Sequence, residues 1–302
     1  MLSMVMYKNG NYTVVFDLKS GTKMRVNDLD NLTPDFAESM DVKITNRCNM
    51  GCSMCHENST VDGEHGDILN ATFINTLKPY TEMAIGGGNP LEHPDLYEFL
   101  KNLKYRKVIP SMTVHQKHFM ENLPFLRKLR DEQLIYGLGV SINAVYPDLV
   151  KALQEFPNAV CHTIAGLTSE DTFRYLSMNN LKVLILGYKN LRRGASLYEK
   201  YSEEIDKNIN HLAELLPKMK DEKWFSTMSF DNLAIEQLEP RRLMTEDEYK
   251  QFYMGDDGGY TYYIDLVNKQ FAQSSTSTKR YGLLDDAQDM FNVIREAKRN
   301  GT

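Results

Sequence analysis

The sequence lacks any apolar run of the length a membrane-spanning helix needs, and its first residues have neither the basic segment nor the apolar core of a signal peptide. Its 35 basic and 41 acidic residues give a net charge of −6, which argues against binding a long nucleic acid by phosphate neutralisation. Only four cysteines occur in 302 residues, too few for a secreted disulfide scaffold. These absences predict a cytoplasmic globular protein without membrane association or extended nucleic-acid binding.

Short apolar segments alternate with amphipathic segments along most of the chain. Strands are expected at residues 41–45, 81–85, 108–114, 136–142, 159–164 and 181–186, with one or two more within 225–238. Helices are expected at residues 68–77, 94–103, 120–132, 147–154, 169–178 and 197–218. Strands separated by helices of 10–15 residues are typical of βαβ units in a parallel sheet, and six or more units predict an α/β fold with a partial (β/α)6 TIM-type barrel.

The two ends of the chain differ from this alternation. Residues 5–26 predict a β-hairpin that turns at 19–21 and leads into a polar linker. A second hairpin, 260–267 with 270–274, and a final helix, 284–299, predict a C-terminal extension. We therefore expect three parts: an N-terminal hairpin and linker at 1–37, a barrel at 38–240 and a C-terminal cap at 241–302.

Three of the four cysteines stand together directly after the first predicted barrel strand. Cys48, Cys52 and Cys55 have the spacing C-x3-C-x2-C, which scattered cysteines rarely produce. Thiolates are soft ligands that suit iron–sulfur clusters or zinc. Three thiolates on one loop hold three corners of a cubane cluster and leave the fourth iron open. The fourth ligand of a structural zinc site could be His56 or the distant Cys161, and a Cys3His zinc-binding module is the alternative interpretation.

A strand running into this motif, early in a series of βα units, resembles the radical S-adenosylmethionine (SAM) superfamily over residues 38–240. The resemblance implies a [4Fe–4S] cluster on the three cysteines, SAM at the open iron, and reductive cleavage of SAM to a 5′-deoxyadenosyl radical that abstracts hydrogen from a substrate. It also implies a low-potential electron donor such as flavodoxin or ferredoxin. Met54, the residue before the third cysteine, is expected near the adenine.

The resemblance extends to a glycine segment after the second predicted barrel strand. Gly87, Gly88 and Asn89 stand where the superfamily has a Gly-Gly-Glu motif that meets the methionine amino group. Asn89 departs from that pattern, because its amide oxygen accepts a hydrogen bond without carrying a charge. A simple turn between strand and helix is the alternative interpretation.

Four further positions are implied to contact SAM. Ser141 and Asn143 end the fourth strand, where the superfamily places polar contacts to ribose and carboxylate, although strand-end polar residues are the alternative. Ile164 lies in a segment that is similar to the adenine-binding strand. Lys189, after the sixth strand, is a candidate for a carboxylate or substrate contact, with solvent exposure as the alternative.

Other residues have no single interpretation at this point. Arg192 is a second candidate for a substrate or carboxylate contact. Cys161 is interpreted as a buried free cysteine. The roles of His56 and Arg193 stay open, and no catalytic residue is assigned.

The segment from Tyr262 to Leu266 resembles the hairpin that opens a SPASM-type auxiliary domain, but the cysteines that bind auxiliary clusters there are absent. This likeness mildly favours a peptide or protein substrate. A nucleotide or another small metabolite is the next alternative, and a glycyl-radical-enzyme activase is the third.

Overall fold

The N-terminal segment forms a small antiparallel sheet. The computed structural model describes residues 4–27 and 31–301. Three strands build this sheet: β1 (Met4–Asn9), β2 (Tyr12–Asp17) and β3 (Thr22–Val26). The predicted hairpin corresponds to β2 and β3. A further turn at Gly10, where φ is +62°, adds β1 and makes the hairpin a three-stranded sheet.

The rest of the chain is organised around one ten-stranded sheet. Its strands are β4 (Ser39–Thr45), β5 (Glu82–Gly87), β6 (Ile109–His115), β7 (Gly137–Ser141), β8 (Ala159–Ile164), β9 (Lys182–Leu186), β10 (Met228–Phe230), β11 (Thr261–Asp265), β12 (Gln270–Ala272) and β13 (Tyr281–Gly282). Their spatial order is β10-β9-β8-β7-β6-β5-β4-β11-β12-β13. Strands β4 to β10 are parallel, as a partial barrel requires. The predicted α/β fold with a partial barrel and a C-terminal hairpin-plus-helix extension is confirmed.

The C-terminal extension belongs to the same sheet. β11 pairs in parallel with β4, and β12 and β13 continue the sheet in antiparallel orientation. The strand that carries the cysteine loop, β4, therefore lies between β5 of the barrel and β11 of the extension. Each neighbour can place side chains next to that loop.

Helices connect most of the parallel strands. They are α1 (Leu96–Tyr105), α2 (Gln116–Glu121), α3 (Leu123–Asp131), α4 (Pro147–Gln154), α5 (Glu170–Met178), α6 (Arg193–Asp221), α7 (Asn232–Leu238), α8 (Glu246–Phe252) and α9 (Ala287–Arg299). Within residues 4–27 and 31–301, no helix combines the length and the apolar character needed to cross a bilayer.

Two predicted helices differ from the structure, whereas the segment 225–238 contains one strand, as expected. The helix expected at 68–77 is wrong, since only a short 3-10 helix forms there and Asn70 bonds Asp67 at 3.0 Å instead of capping a helix. The helix expected at 120–132 is interrupted at Asn122, because Pro124 lies in the first turn of a new helix. Within 225–238, only β10 is extended, and the Asp231 side chain caps α7 by accepting from Ala234 N at 2.8 Å.

The two faces of the ten-stranded sheet have different environments. Successive side chains point to opposite faces of a strand. On β4, Val42 and Ile44 are almost fully buried in the hydrophobic core against the helices. Asp41 points the other way and is exposed. We call this second side, which also carries Thr113 and His162, the inner face of the sheet.

The N-terminal sheet is joined to the barrel through one buried carboxylate. Glu38 is fully buried and lies 2.9 Å from Lys23 Nζ and 2.7 Å from Arg25 Nε. The Tyr12 hydroxyl donates to the same carboxylate at 2.5 Å. Glu38 directly precedes β4, so this contact ties the small sheet to the strand that enters the cysteine loop.

Candidate functional site

The cysteine loop begins where β4 ends and is held by backbone hydrogen bonds. Cys48, Cys52 and Cys55 are half-buried free thiols. Within the loop, Cys48 N donates to Thr60 O at 2.8 Å. Two bonds join the loop to the glycine segment: Gly88 N donates to Thr45 O and Asn89 N donates to Arg47 O, both at 2.7 Å. The three thiols and the glycine segment therefore lie at the same C-terminal edge of the sheet, where barrel enzymes place their active sites.

A cation lies beside these thiols. Burial raises the pKa of Cys48 and Cys52, and the positive charge of Arg193 acts in the opposite direction. Arg193 Nη2 donates to Ser59 O at 2.6 Å. In the described part of the chain, Arg193 Nε and Ser59 Oγ are buried without a hydrogen-bond partner. Three thiols with an adjacent guanidinium and unused polar atoms fit a negatively charged metal–thiolate group.

The two candidates for a fourth zinc ligand have other surroundings. His56 Nε2 lies 3.4 Å from Glu57 Oε1 and 3.5 Å from Lys189 Nζ. Cys161 is 1% exposed in the hydrophobic core, and burial raises its pKa to about 12. In residues 4–27 and 31–301, no three His, Cys, Asp or Glu side chains are grouped to hold one metal ion. A zinc site draws four ligands to one ion, whereas a cubane gives each cysteine its own iron. The donor set fits such a cluster.

The glycine segment approaches the cysteine loop so closely that side chains are excluded. Gly87 has φ +111°, and a Cβ atom on Gly88 would lie 2.2 Å from Arg47 O. Asn89 is 3% exposed and its side chain is engaged locally. Its Oδ1 accepts from Leu91 N at 3.3 Å, and its Nδ2 donates to Glu92 Oε1 at 3.1 Å.

Glu92 was not selected from the sequence. Its carboxylate is held by Asn89 and lies 3.4 Å from Arg47 Nε, in the loop that carries the cysteines. It also interacts electrostatically with Cys48. The spacing of three residues between a capping Asn and a Glu is the sequence signal that identifies such a pair. The negative charge missing at position 89 is therefore present three residues later.

A row of polar side chains crosses the inner face near the same edge. His115, Ser141 and His162 are neighbours in register on β6, β7 and β8. Asn143 follows β7 and its Nδ2 lies 3.0 Å from His115 Nε2. The row thus includes both predicted polar positions and two histidines. Neither histidine was among the predicted cofactor-binding residues, although His162 lies in the segment that is similar to the adenine-binding strand.

The His162 ring occupies space that a side chain at position 139 would fill, and the residue there is Gly139. A Cβ atom on Gly139 would lie 2.4 Å from His162 Cε1. Burial, together with the positive charge of Lys189, lowers the pKa of His162 to about 4. The imidazole is therefore neutral at pH 7 and can both donate and accept a hydrogen bond.

Lys189 brings the cysteine loop and the C-terminal extension together. Its Nζ donates to Ser275 Oγ at 3.2 Å and lies 3.5 Å from His56 Nε2. Across the described ranges, no carboxylate lies within 4.0 Å of this ammonium, in contrast to the buried Lys43, which has two. An ammonium that has no carboxylate partner is suited to bind an anionic group.

Two predicted apolar contacts lie at the same edge. Met54 is half-buried, and its carbonyl oxygen would be 3.4 Å from a Cβ atom on Gly194, at the start of α6. Ile164 is half-buried at the end of β8, two residues beyond His162 on the same face. The structure therefore brings the predicted positions to one edge of the sheet. The Asn89 side chain bonds Leu91 and Glu92 of the turn that follows it.

Comparisons with known proteins agree with this geometry. No family model matches the chain. A protein of Methanocaldococcus jannaschii named "Probable GTP 3',8-cyclase" is 27% identical over 124 residues, which are 39% of this chain and 40% of that protein. A protein of the same name from Methanococcus maripaludis is 26% identical over 121 residues, 38% and 39% of the two chains. The chain thus matches about two fifths of the length of these relatives.

Two solved structures share the fold. Streptococcus suis SuiB bound to S-adenosylmethionine has a TM-score of 0.62 at 10% identity, covering 98% of this chain and 89% of that chain. The enzyme anSMEcpe with bound AdoMet has a TM-score of 0.56 at 12% identity, covering 85% and 79%.

An open parallel sheet with a three-cysteine loop at its C-terminal edge is the arrangement that the resemblance to the radical SAM superfamily implies. The fold is thus that of SuiB and anSMEcpe, and the cysteine motif resembles that of the radical SAM superfamily. Both of these solved structures hold S-adenosylmethionine.

Proposed function

We propose that the chain is a radical SAM enzyme that carries its cluster on Cys48, Cys52 and Cys55. The observation that carries the proposal is the donor set: three free thiols on one loop that interact electrostatically with one another and with Arg193. The cluster with bound SAM supplies the reductive cleavage that yields methionine and a 5′-deoxyadenosyl radical, which abstracts hydrogen from substrate.

The residues at the edge of the sheet bind and orient SAM in this proposal. Glu92, held by Asn89, offers a carboxylate to the ammonium of the methionine group. Lys189 offers its ammonium to the carboxylate. Gly87 and Gly88 have no side chains, so the backbone of the cysteine loop lies close against this segment.

The inner-face row and two apolar side chains bind the nucleoside part. Ser141 and Asn143 offer hydrogen bonds to the ribose. Met54 and Ile164 pack against the adenine.

A peptide is the substrate class that we favour. The inner face carries acidic side chains. The accessible Asp41 is surrounded by protein atoms that desolvate it and raise its pKa to about 6; the negative charges of Asp257 and Asp231 also raise this pKa, while Lys189 lowers it. Such a surface repels a polyphosphate and accepts neutral or cationic peptide groups. Two proteins with this fold have been solved with peptides: SuiB with its precursor peptide SuiA and anSMEcpe with Cp18Cys peptide.

A nucleotide substrate is the second candidate. It is favoured by the relatives named "Probable GTP 3',8-cyclase", which match this chain in sequence. Production of 5′-deoxyadenosine with GTP, and none above background with peptides, would select this candidate over the first.

The proposed electron donor is a flavodoxin or ferredoxin. Asn49, Gly51 and Ser53 of the cysteine loop are exposed, so the cluster lies close to the surface, where a protein donor can approach.

Anaerobic reconstitution tests the proposed function. The protein is expected to bind about four irons and four sulfides, as one cubane requires, and to form 5′-deoxyadenosine when reduced in the presence of SAM. Stoichiometric zinc with no iron–sulfur absorption would contradict the proposal and favour the Cys3His alternative.

A further inference from the structure

The cysteine loop is joined to the C-terminal extension by a buried network of charges. Lys43 Nζ lies 2.9 Å from Glu57 Oε2 and 3.2 Å from Asp265 Oδ2. The side chains of Lys43, Glu57 and Asp265 are only 2%, 7% and 6% exposed. Glu57 is the second residue after Cys55, whereas Asp265 ends β11.

A tyrosine of the extension completes this network. The Tyr263 hydroxyl donates to Glu57 Oε1 at 3.2 Å, across 206 positions of sequence. In the β4–β11 pairing, Tyr263 is opposite Asp41 and Asp265 is opposite Lys43. Because paired residues share a face, Tyr263 and Asp265 both lie on the inner face of the sheet.

The loop around the cysteines has little regular structure to hold it. Apart from isolated bridges at its base, residues 46–71 form turns and bends rather than strands or helices. The turn bonds near the third cysteine are long: Cys55 N to Cys52 O and Asn58 N to Cys55 O both measure 3.3 Å. A segment of this kind keeps one conformation only where other elements anchor it. Glu57 is its most deeply anchored charged side chain.

We propose that Tyr263, by its bond to Glu57, and Asp265, by its ion pair with the Lys43 that binds Glu57, are positioning residues that hold the cysteine loop in the conformation that binds the cluster. The C-terminal extension thereby contributes to cofactor retention without supplying a ligand of its own. This inference rests on the proposed function, because it takes the cluster to be bound by the three cysteines.

A buried carboxylate that loses a hydrogen-bond donor is destabilised relative to conformations in which water reaches it. Removing the Tyr263 hydroxyl therefore favours a displaced loop. Hydrogen bonds to charged groups correspond to roughly ten- to hundredfold in an equilibrium constant. We take the cluster to lose iron from the displaced conformation of the loop. The rate of iron loss to a chelator is therefore expected to rise by the same factor.

Neighbouring tyrosines give a matched pair of variants. Tyr262 lies on the opposite face of β11, is 1% exposed, and donates to Ala287 O at 3.2 Å. Tyr263 is 4% exposed and differs mainly in donating to Glu57. Tyr262→Phe and Tyr263→Phe each remove one buried hydroxyl from the same strand, so a general loss of stability affects both.

The experiment uses the anaerobically reconstituted full chain and measures iron release to a chelator, the EPR spectrum of the reduced cluster, and thermal unfolding. Tyr263→Phe is expected to release iron about tenfold faster or more and to change the EPR spectrum. Tyr262→Phe is expected to match the wild type in both. Equal iron-release rates and EPR spectra for the two variants would overturn the proposal.

A double-mutant cycle separates action through Glu57 from a direct effect. In Glu57→Gln the carboxylate is already lost, so adding Tyr263→Phe is expected to accelerate iron release much less than it does in the wild type. If Tyr263→Phe accelerates iron release by the same factor in Glu57→Gln as in the wild type, the proposal is overturned. Failure of the wild type to take up a cluster would instead refute the proposed function, so the two failures are distinguishable.

Discussion

Asn89 donates a hydrogen bond from Nδ2 to Glu92 Oε1 over 3.1 Å, at the point where the glycine segment meets the cysteine loop. The residue that replaces the expected glutamate therefore holds the carboxylate of another glutamate. Arg47 approaches the second oxygen of that carboxylate from the cysteine loop at 3.4 Å. A carboxylate therefore lies three residues after the position at which the resemblance implies a glutamate, and the Asn89 side chain holds it.

The first prediction concerns this pair. Glu92→Gln removes the negative charge and is expected to weaken SAM binding about 10- to 100-fold, because hydrogen bonds to charged groups contribute about 1.5–3 kcal/mol. Asn89→Ala is expected to weaken it about 5-fold or more by releasing the Glu92 side chain. Anaerobic calorimetry measures both affinities. Glu98→Gln, at an exposed residue of α1, is the control. Unchanged affinity in Glu92→Gln would show that its carboxylate serves only Asn89 and Arg47.

The second prediction separates the four cysteines. Replacing Cys48, Cys52 or Cys55 by Ala is expected to abolish cluster binding. Cys161→Ala is expected to keep about four irons per chain, because its thiol lies in the hydrophobic core, while the free energy of unfolding falls by about 1–2 kcal/mol. Iron analysis and chemical denaturation check the two parts. Loss of the cluster in Cys161→Ala would mean that a fourth protein ligand exists.

The third prediction concerns pH. Burial and Lys189 lower the pKa of His162 from 6.5 to about 4, so the unfolded state binds this proton at a higher pH than the folded state does. The free energy of unfolding therefore decreases as the pH falls below about 6.5, and His162 contributes about 2 kcal/mol to this decrease by pH 5. The decrease is complete near the folded pKa.

Denaturation of the protein without cofactors at pH 7.5 and pH 5 measures this contribution. His162→Gln is expected to reduce the difference between the two pH values by about 2 kcal/mol. His211→Gln, at a histidine whose side chain is 58% exposed, is the control. A His162→Gln protein with the full wild-type difference would show that His162 does not carry the effect.

The fourth prediction concerns the link between the N-terminal sheet and the barrel. Glu38→Gln leaves the buried Arg25 with a neutral partner and Lys23 with Glu82 as its one carboxylate, and is expected to lower the free energy of unfolding by about 3–5 kcal/mol. The exposed pair of Glu98 and Lys101 offers a comparison, since Glu98→Gln is expected to cost less than about 1 kcal/mol. Chemical denaturation compares the two. Similar losses in both variants would refute the buried link.

Local patterns predicted most of the barrel. The alternation of apolar residues located β8 and α4 at the bounds that the structure shows, because both elements bury one side against the same core. The same reasoning failed at 68–77, where apolar residues are spaced as in a helix but Asn70 is bonded to Asp67. At 225–238 it found a strand, β10, but not the helix α7, which begins where the Asp231 side chain accepts from Ala234 N.

The candidate site could be predicted only in part for a related reason. Asn89 was found by its place after the glycines, but the direction of its side chain depends on the backbone of the next three residues. Glu92 was therefore not predicted as a site residue, although its spacing of three residues from Asn89 is visible in the sequence. His115 was not predicted because its contact partner, Asn143, follows the neighbouring strand β7. No short segment of sequence contains both residues.

The sequence by itself determined the cysteine motif, the resemblance that the motif carries and the series of βα units, because ligand spacing and side-chain alternation are properties of short segments. Only the tertiary structure decided that β11 pairs with β4, which brings Tyr263 within 3.2 Å of Glu57. Strand pairing depends on the packing of the whole sheet, and residues 206 positions apart share no local pattern that could reveal it. For the same reason, the contact between Lys189 and Ser275 follows from the assembled sheet and from no motif in either segment.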